Sequence, residues 1–452
     1  MNVALSQLLA VGRPSDYRIA VRAGTVVSFE KFRSDVAHNV ARLKSARCRS
    51  GAPVCDDSYW FMVGFLALCH AGAAIVMPVN LQPGTLEALS KECDLLLTEP
   101  SARPSGNFLL EEGPGVAAPL SPFDPSRITI DFFTSGSTGS PKRVTRTASL
   151  LEKEVEMISA ALAGASGDGL VSGTVSHTHV YGLVFRLLWP LSCGLPFSAT
   201  THDLWETVLD ELEPGGVLVT SPAHLSRSKG IEPVPSGRAP SLVLSAGAPL
   251  AAEAARDGAA LLGVYPTEIF GSTETGACAM RETDRPDVPW SPLPGVRFEI
   301  EASGCLIIFS PAIDAPEGAA TADLVDFLPG GEFRFKGRSD RIVKIEGKRV
   351  SLPEVERQLS ALHYVDAASV LVVGMAGERL GAVIVASAAG AEKRAALGDF
   401  RFGRFLRREL ARTQESAGLP RLWRFVDGLP AGPMGKLRDS DLLKLFTNGD
   451  VQ

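Results

Sequence analysis

Short apolar runs recur through the first three quarters of the chain at residues 73–79, 94–97, 128–133, 217–220 and 242–245, separated by stretches with helical character. Buried parallel strands alternating with helices read this way, because each strand is apolar on both faces and each crossover needs a helix. A large α/β domain with parallel or mixed sheets follows. The longest apolar run, YWFMVGFLALCHAGAAIVMPV over 59–79, approaches bilayer-spanning length, but His70 interrupts it and Gly72 and Pro78 punctuate it. It predicts a buried helix stopping near Gly72, then a core strand. Near residue 340 the texture changes to a strand, a helix opened by SLPEVERQL, a hairpin over 368–387, another helix and a Pro/Gly-rich end. Ser351 can cap that helix, Pro353 suits its first turn, and Glu354 stands three residues on, as a capping box requires. The expected domains are therefore 1–339 and a small α+β domain over 340–452.

Composition narrows the class. At 452 residues the chain exceeds what one core usually holds. The 45% apolar and 21% charged residues, with 44 glycines and 31 prolines, suit a folded, turn-rich protein rather than a disordered one. A net charge of -6 gives no electrostatic reason to expect nucleic acid or an anionic membrane, so a small-molecule substrate fits better. Seven scattered cysteines without a CxxC pair, and no signal-peptide pattern at the start, point to free thiols in the cytoplasm.

The chemistry concentrates in a few segments. DFFTSGSTGSPK over 131–142 ends a strand in a loop of small hydroxyl and glycine residues closed by a lysine. Gly136 and Gly139 let the backbone approach an anion, Thr134, Ser135, Ser137 and Thr138 can donate hydrogen bonds, and Lys142 supplies charge. The spacing is wrong for a Walker A loop or a nucleophile elbow, and read alone the segment could be an ordinary Gly/Ser turn. HTHVYGL over 177–183 contains an HxH pair, yet no third ligand stands at zinc spacing, so a metal site is not expected there.

TSGSTGSPK resembles the phosphate loop of the ANL superfamily of adenylate-forming enzymes: acyl- and aryl-CoA synthetases, luciferases and nonribosomal-peptide adenylation domains. Further segments resemble its landmarks in order. SAGAPL over 245–250 resembles the strand-end turn whose backbone, at Gly247, skirts adenine. FGSTE over 270–274 implies Phe270 on adenine, Thr273 on the α-phosphate and Glu274 on Mg²⁺, a hard cation suited to a carboxylate. TADL over 321–324 resembles the ribose motif, with Asp323 accepting from both hydroxyls and Ala322 in place of the usual glycine. GRSDRIVKIEGKRVSLPEVE over 337–356 resembles the hinge segment: Arg338 would reach the ribose, Asp340 would be the hinge, Lys344 and Gly347 would line a thiol tunnel, and Arg349 would contact pyrophosphate. LPAGPMGKLR over 429–438 resembles the terminal motif whose lysine, here Lys436, bridges the carboxylate and the α-phosphate. The HTHVYGL segment resembles a helix-start motif that would put His179 at the gate between acyl pocket and thiol tunnel.

The resemblance implies an AMP-binding domain followed by a mobile C-terminal domain, and a ligase that uses ATP and Mg²⁺ to turn a small carboxylic acid into acyl-AMP. The acyl group would then pass to the pantetheine thiol of CoA or of an acyl carrier protein. TVSHTHVYGLVFRLLWPL over 174–191 further resembles ligases of aryl polyene pigment clusters, which favours an aryl or acyl acid. A nucleotide-binding pseudoenzyme would have no need of Lys436. A free-standing amino-acid adenylation domain would need an acidic partner for the α-amino group, and none is evident between His177 and Ser245.

Overall fold

The computed structural model describes residues 2–100, 107–116, 120–135, 141–165, 167–248, 250–282, 288–339, 341–374, 379–429 and 439–447. The chain divides into two compact units, Met1–Thr134 with Arg143–Lys336 and Ser135–Lys142 with Gly337–Gln452. It is an α/β fold whose large sheets lie mostly in the first unit.

The first unit is built on three sheets. The largest has nine strands, running Ser291–Pro292, Gly276–Glu282, Thr267–Ser272, Leu242–Ala246, Val217–Thr220, Val171–Gly173, Phe197–Ser198, Arg18–Arg22, Thr25–Ser28. Its six central strands pair parallel, and the outer ones turn back antiparallel. Residues 217–220 and 242–246 are buried throughout, as expected for strands covered on both faces. A six-stranded sheet orders Phe108–Leu109, Leu95–Thr98, Ser50–Pro53, Ala74–Val76, Thr129–Ser135 and Pro141–Thr147. A four-stranded sheet spans Arg297–Ile300, Cys305–Phe309, Ala319–Phe327 and Phe333–Arg338.

The long apolar run becomes the helix Ser58–Ala71, buried at every position from Ser58 to His70. A helix apolar all round has no solvent face and must lie between layers. It packs on the helix Phe29–Ser45 and on the strands Ser50–Pro53 and Ala74–Val76. Asp57 caps it, its carboxylate accepting from the amides of Tyr59 at 2.9 Å and Trp60 at 3.2 Å. Gly72 closes it in the left-handed region at φ +77°, its N–H reaching the carbonyls of Leu68 and Cys69. The following strand stops at Val76, short of the expected 79, two residues before Pro78. No helix among the described residues is long and apolar enough to cross a membrane. All seven cysteines are free thiols.

The second unit has its own core, centred on Val355, Leu359, Val370, Ala382, Ile384, Phe402 and Leu406. The antiparallel pair Val365–Val373 and Arg379–Ala386 forms where the hairpin is expected, and Leu422–Phe425 joins it parallel. The helix Leu352–Ser360 starts at Ser351, whose Oγ accepts from Glu354 N at 3.3 Å. The Glu354 carboxylate engages Arg357 and Gln358. Two helices stand where one is expected, Ala388–Leu397 and Asp399–Leu410, divided at Gly398 with φ +74°.

Asp57 also holds Arg22 at 2.6 Å, so it joins a helix start to a strand of the neighbouring sheet. Replacing Asp57 by Ala is expected to lower unfolding stability by about 1–2 kcal/mol, whereas Asn keeps the cap and loses less than half of that. Urea titration of the two variants measures the difference.

Candidate active site

Four neighbouring parallel strands send their carboxyl ends to one side of the sheet, in a stagger. The register pairs Gly173 with Val219, Thr220 with Ser245, and Ala246 with Ile269. Their carboxyl ends therefore deliver the segments 174–179, 247–250 and 270–275 to one edge of the nine-stranded sheet. In open α/β sheets this is the edge where ligands bind. The segments that carry His179, Gly247, Phe270, Thr273 and Glu274 thus all leave the same edge of the sheet.

The Thr273–Glu274 turn is the best defined of these features. Ser272 pairs with Gly276 across it, leaving Thr273, Glu274 and Thr275 as a three-residue loop. Gly276, at φ +67°, supplies the left-handed residue such a loop needs. Thr275 Oγ1 accepts from Ser272 N at 3.1 Å, and Ser272 Oγ accepts from Thr275 N at 3.2 Å, closing the loop on itself. A Cβ on Gly271 would stand 2.2 Å from Gly276 O, so the second residue of FGSTE has to be glycine. Thr273 and Glu274 remain half-buried at the tip. Phe270 is half-buried beside Trp290, Phe333 and Phe335, with ring centroids 5.4, 5.1 and 6.2 Å away.

A residue that sequence reasoning missed ties this turn to its neighbour. Glu268, two residues before Phe270 and 1% exposed at its side chain, is bridged by Arg281 at 2.6 Å. Its Oε1 accepts from Leu250 N at 2.8 Å, fixing the segment that begins at Gly247, where φ is +102°. Breaking a buried pair of this kind costs about 3–5 kcal/mol because one charge is left uncompensated. Alternation along a strand hides such a residue, since nothing in TEIF marks Glu268 as inward-facing.

Asp323 lies on the strand Ala319–Phe327 and is 9% exposed. The ladder with Cys305–Phe309 pairs Cys305 with Leu324 but Ile307 with Ala320, so extra chain bulges out between them. Thr321 Oγ1 donates to Leu306 O at 2.8 Å and accepts from Asp323 N at 3.1 Å, which pins the bulge. A bulge re-aims side chains, and here it sets Asp323.

The phosphate-loop segment is described only at its ends. Thr134 and Ser135 finish the strand Thr129–Ser135, and Lys142 is exposed at the start of Pro141–Thr147. Gly136, Ser137, Thr138 and Gly139 lie outside the described residues, as do Asp340 and Lys436. Asp131 braces the strand pair, accepting from Thr145 Oγ1 at 2.5 Å, while its backbone carbonyl takes Met77 N.

The two histidines of HTH part company. His177 is buried, with Nε2 2.9 Å from Cys55 O and Nδ1 2.9 Å from Ser58 Oγ. A carbonyl only accepts, so Nε2 carries the proton and Nδ1 accepts from Ser58. Both nitrogens are engaged, which leaves none for a metal. Burial, with Arg186 nearby, pushes its pKa down to about 3. Arg186 is itself buried and clamps the segment, donating to Val175 O at 2.7 Å, Thr201 Oγ1 at 2.8 Å and Thr200 O at 2.7 Å. His179 is exposed at the start of the short helix Val180–Gly182. That helix runs on through a π-helical stretch, Leu183–Leu188, to Trp189–Cys193. Pro190, which cannot donate to the helix ladder, accounts for the widened turn before it. Gly182 is required by a close approach, since a Cβ there would meet Ser176 O at 2.1 Å.

In the second unit the strands Ile342–Ile345 and Lys348–Ser351 form a tight hairpin. Glu346 and Gly347 make its two-residue turn with φ +50° and +80°, the signature of type I′. Lys344 pairs directly with Arg349, so two half-buried cations face each other across the ladder. Arg341, at φ +53°, forks onto Glu356 at 3.0 and 3.1 Å and donates to Val370 O at 3.1 Å. The chain just after Asp340 is therefore anchored to its own unit. Arg338 is half-buried at the end of the strand Phe333–Arg338.

Replacing Gly271 by Ala is expected to distort the Thr273–Glu274 turn at a cost of about 1–3 kcal/mol and to weaken ATP binding, as calorimetry can measure. A buried histidine also sets a pH window. With its folded pKa near 3 and an unfolded value near 6.5, the unfolded state takes the proton first. The stability His177 contributes is complete above pH 6.5 and is lost as the pH falls toward 3, by up to about 1.4 kcal/mol per unit. His70 and His224, both pushed down to about 4 mainly by burial, act in the same direction. Denaturation midpoints measured from pH 7 to pH 4 should fall, and less steeply in His177→Asn.

Residues 10–304 match the family described as AMP-binding enzyme. The chain is 29% identical over 314 residues to a 4-coumarate–CoA ligase of Cereibacter sphaeroides, a match covering 68% of this chain and 70% of that one. It shares its fold with a malonyl-CoA ligase solved with methylmalonyl-CoA and AMP, at TM-score 0.78 and 22% identity over 95% of this chain and 100% of that chain. It likewise superposes on the amide bond synthetase McbA of Marinactinospora thermotolerans, at TM-score 0.79 and 19% identity over 98% and 100% of the two chains. The order of these segments and the match over most of the chain make one conclusion: the protein belongs to the AMP-binding enzyme family, within the ANL superfamily of adenylate-forming ligases.

Proposed function

We propose that this ligase activates a small aryl or acyl carboxylic acid as its acyl-adenylate and passes the acyl group to a pantetheine thiol, of CoA or of a carrier protein. The observation that supports the reading is the shared edge of the four parallel strands, from which the segments of His179, Gly247, Phe270, Thr273 and Glu274 leave. Among the described residues no group of three His, Cys, Asp or Glu side chains could hold a metal by itself. Glu274, one hard oxygen donor on a rigid turn, fits Mg²⁺ that takes its remaining ligands from nucleotide phosphates and water. When bound, that ion neutralises phosphate charge.

In this reading Thr134, Ser135, Gly136, Ser137, Thr138, Gly139 and Lys142 cradle the phosphates, Asp323 and Arg338 hold the ribose, and Phe270 lies against adenine. Thr273 donates to the α-phosphate. The substrate carboxylate attacks the α-phosphorus, pyrophosphate leaves with its electron pair, and Lys436 stabilises the charge that builds between the two reactants. The C-terminal domain, 340–452, then turns about Asp340. Lys344 and Gly347 come to line the thiol path past His179, and Arg349 meets the departing pyrophosphate. The thiol displaces AMP from the mixed anhydride. Positioning and electrostatics dominate both steps.

The reading predicts a split between half-reactions. Lys436→Ala should lose adenylation by about 10²-fold or more and still convert supplied acyl-adenylate to thioester. Equal loss of both steps contradicts the alternation of domains. Hydroxamate formation across aryl, cinnamyl and fatty acids identifies the acid, and the best acid offered with CoA or with holo carrier protein identifies the acceptor.

A further inference from the structure

The first unit buries an ion pair that the proposed chemistry does not use. Arg146 lies on the strand Pro141–Thr147, four residues after Lys142, and Glu154 lies on the following helix, Ala148–Ala161. Both side chains are 2% exposed, with Nη1 of Arg146 2.7 Å from Oε2 of Glu154. The N–H is not aimed along that line, so these atoms form an ionic contact without a well-directed hydrogen bond, and Arg146 Nε also lacks a partner among the described residues. A pair this deep and imperfectly satisfied is a poor source of stability, because desolvation offsets much of the attraction.

What the pair touches is more informative. Glu154 Oε1 accepts from Ala277 N at 2.8 Å, just beyond the Thr273–Glu274 turn, where the ladder shifts register at Phe270 and Gly271. A Cβ on Gly276 would stand 2.6 Å from Glu154 Oε2, so the carboxylate sits hard against the backbone that closes the turn. Arg146 Nη2 donates to Ala312 O at 3.2 Å, in the loop that precedes the strand of Asp323. Burial raises the neighbouring Cys278 thiol to about 12, and Glu154, Arg146 and Asp323 all act on it. One buried pair thus joins the strand of Arg146, the turn of Thr273 and Glu274, and the approach to Asp323.

We propose that Arg146 and Glu154 are positioning residues for the metal–nucleotide site, holding the Thr273–Glu274 turn against the strand of Arg146. This rests on the adenylation reading for its consequence in turnover, but not for its consequence in binding. A turn displaced by about 1 Å costs roughly 10²-fold in a step that depends on alignment. Removing both charges together, in Arg146→Leu/Glu154→Leu, avoids leaving either one buried alone and should leave the fold intact.

The test measures ATP binding by calorimetry as Mg²⁺ is varied, and then the two half-reactions, in wild type, Glu154→Gln and the double variant. The expected result is a half-saturating Mg²⁺ concentration raised about tenfold in both variants, equivalent to about 1.4 kcal/mol. Adenylation should fall by a further factor, while thioester formation from supplied acyl-adenylate stays within about twofold of wild type. A double variant with wild-type thermal stability and wild-type Mg²⁺ dependence overturns the proposal. So does proportional loss of both half-reactions, which would mean loss of folded enzyme. Wild type that binds MgATP but catalyses no adenylation sinks the functional reading alone, because the Mg²⁺ dependence still reports on the pair. Wild type that binds no MgATP overturns both.

Discussion

Four parallel strands that run the same way impose most of what this site can be. Parallel pairing needs long crossovers, covers both faces of the sheet, and sends every loop that follows a strand to the same edge. With Val171–Gly173, Val217–Thr220, Leu242–Ala246 and Thr267–Ser272 paired in parallel, the segments that lead to His179, Gly247 and Glu274 leave from one edge. The side chains at that edge need only local devices to aim them. Gly271 lets its backbone meet Gly276 O, Gly276 leaves room for the Glu154 carboxylate, a bulge turns Asp323, and Gly182 lets a helix start against Ser176 O.

Buried polar groups then fix what the backbone leaves adjustable. Glu268 holds Leu250, Glu154 holds Ala277, Arg186 holds Val175, and His177 holds Cys55. Each joins a segment at the binding edge to a neighbouring element, and each donor or acceptor there is a backbone group that ordinary sheet pairing does not serve. Such groups are costly to bury and costlier to orphan. Their concentration beneath the carboxyl ends of the strands is what a site built for alignment requires.

The sequence made the frame readable where a physical signal was local. Apolar runs marked the parallel strands, an all-round apolar stretch ending in glycine marked the helix Ser58–Ala71, and Ser351 with Glu354 marked the start of Leu352–Ser360. The four-stranded sheet over 297–338 was not foreseen, because its strands mix exposed and buried positions without clear alternation. Leu422–Phe425 was missed for a similar reason, being four half-buried residues whose pairing partner lies some forty positions earlier. Among the expected site residues, the motif glycines and Glu274 carry a local signature in the sequence. Glu154, Arg146 and Glu268 could not, since a charged residue in a helix or strand looks solvent-facing until the fold buries it.

In the proposed function, a carboxylate is joined to the α-phosphate of ATP at the edge of this sheet. Exchange of labelled pyrophosphate into ATP tests it directly, because it requires reversible formation of the acyl-adenylate and no acceptor. The purified enzyme with Mg²⁺ is expected to catalyse exchange with at least one aryl, cinnamyl or fatty acid, and none without acid. An enzyme that binds ATP and Mg²⁺ yet shows no acid-dependent exchange across that panel would contradict it.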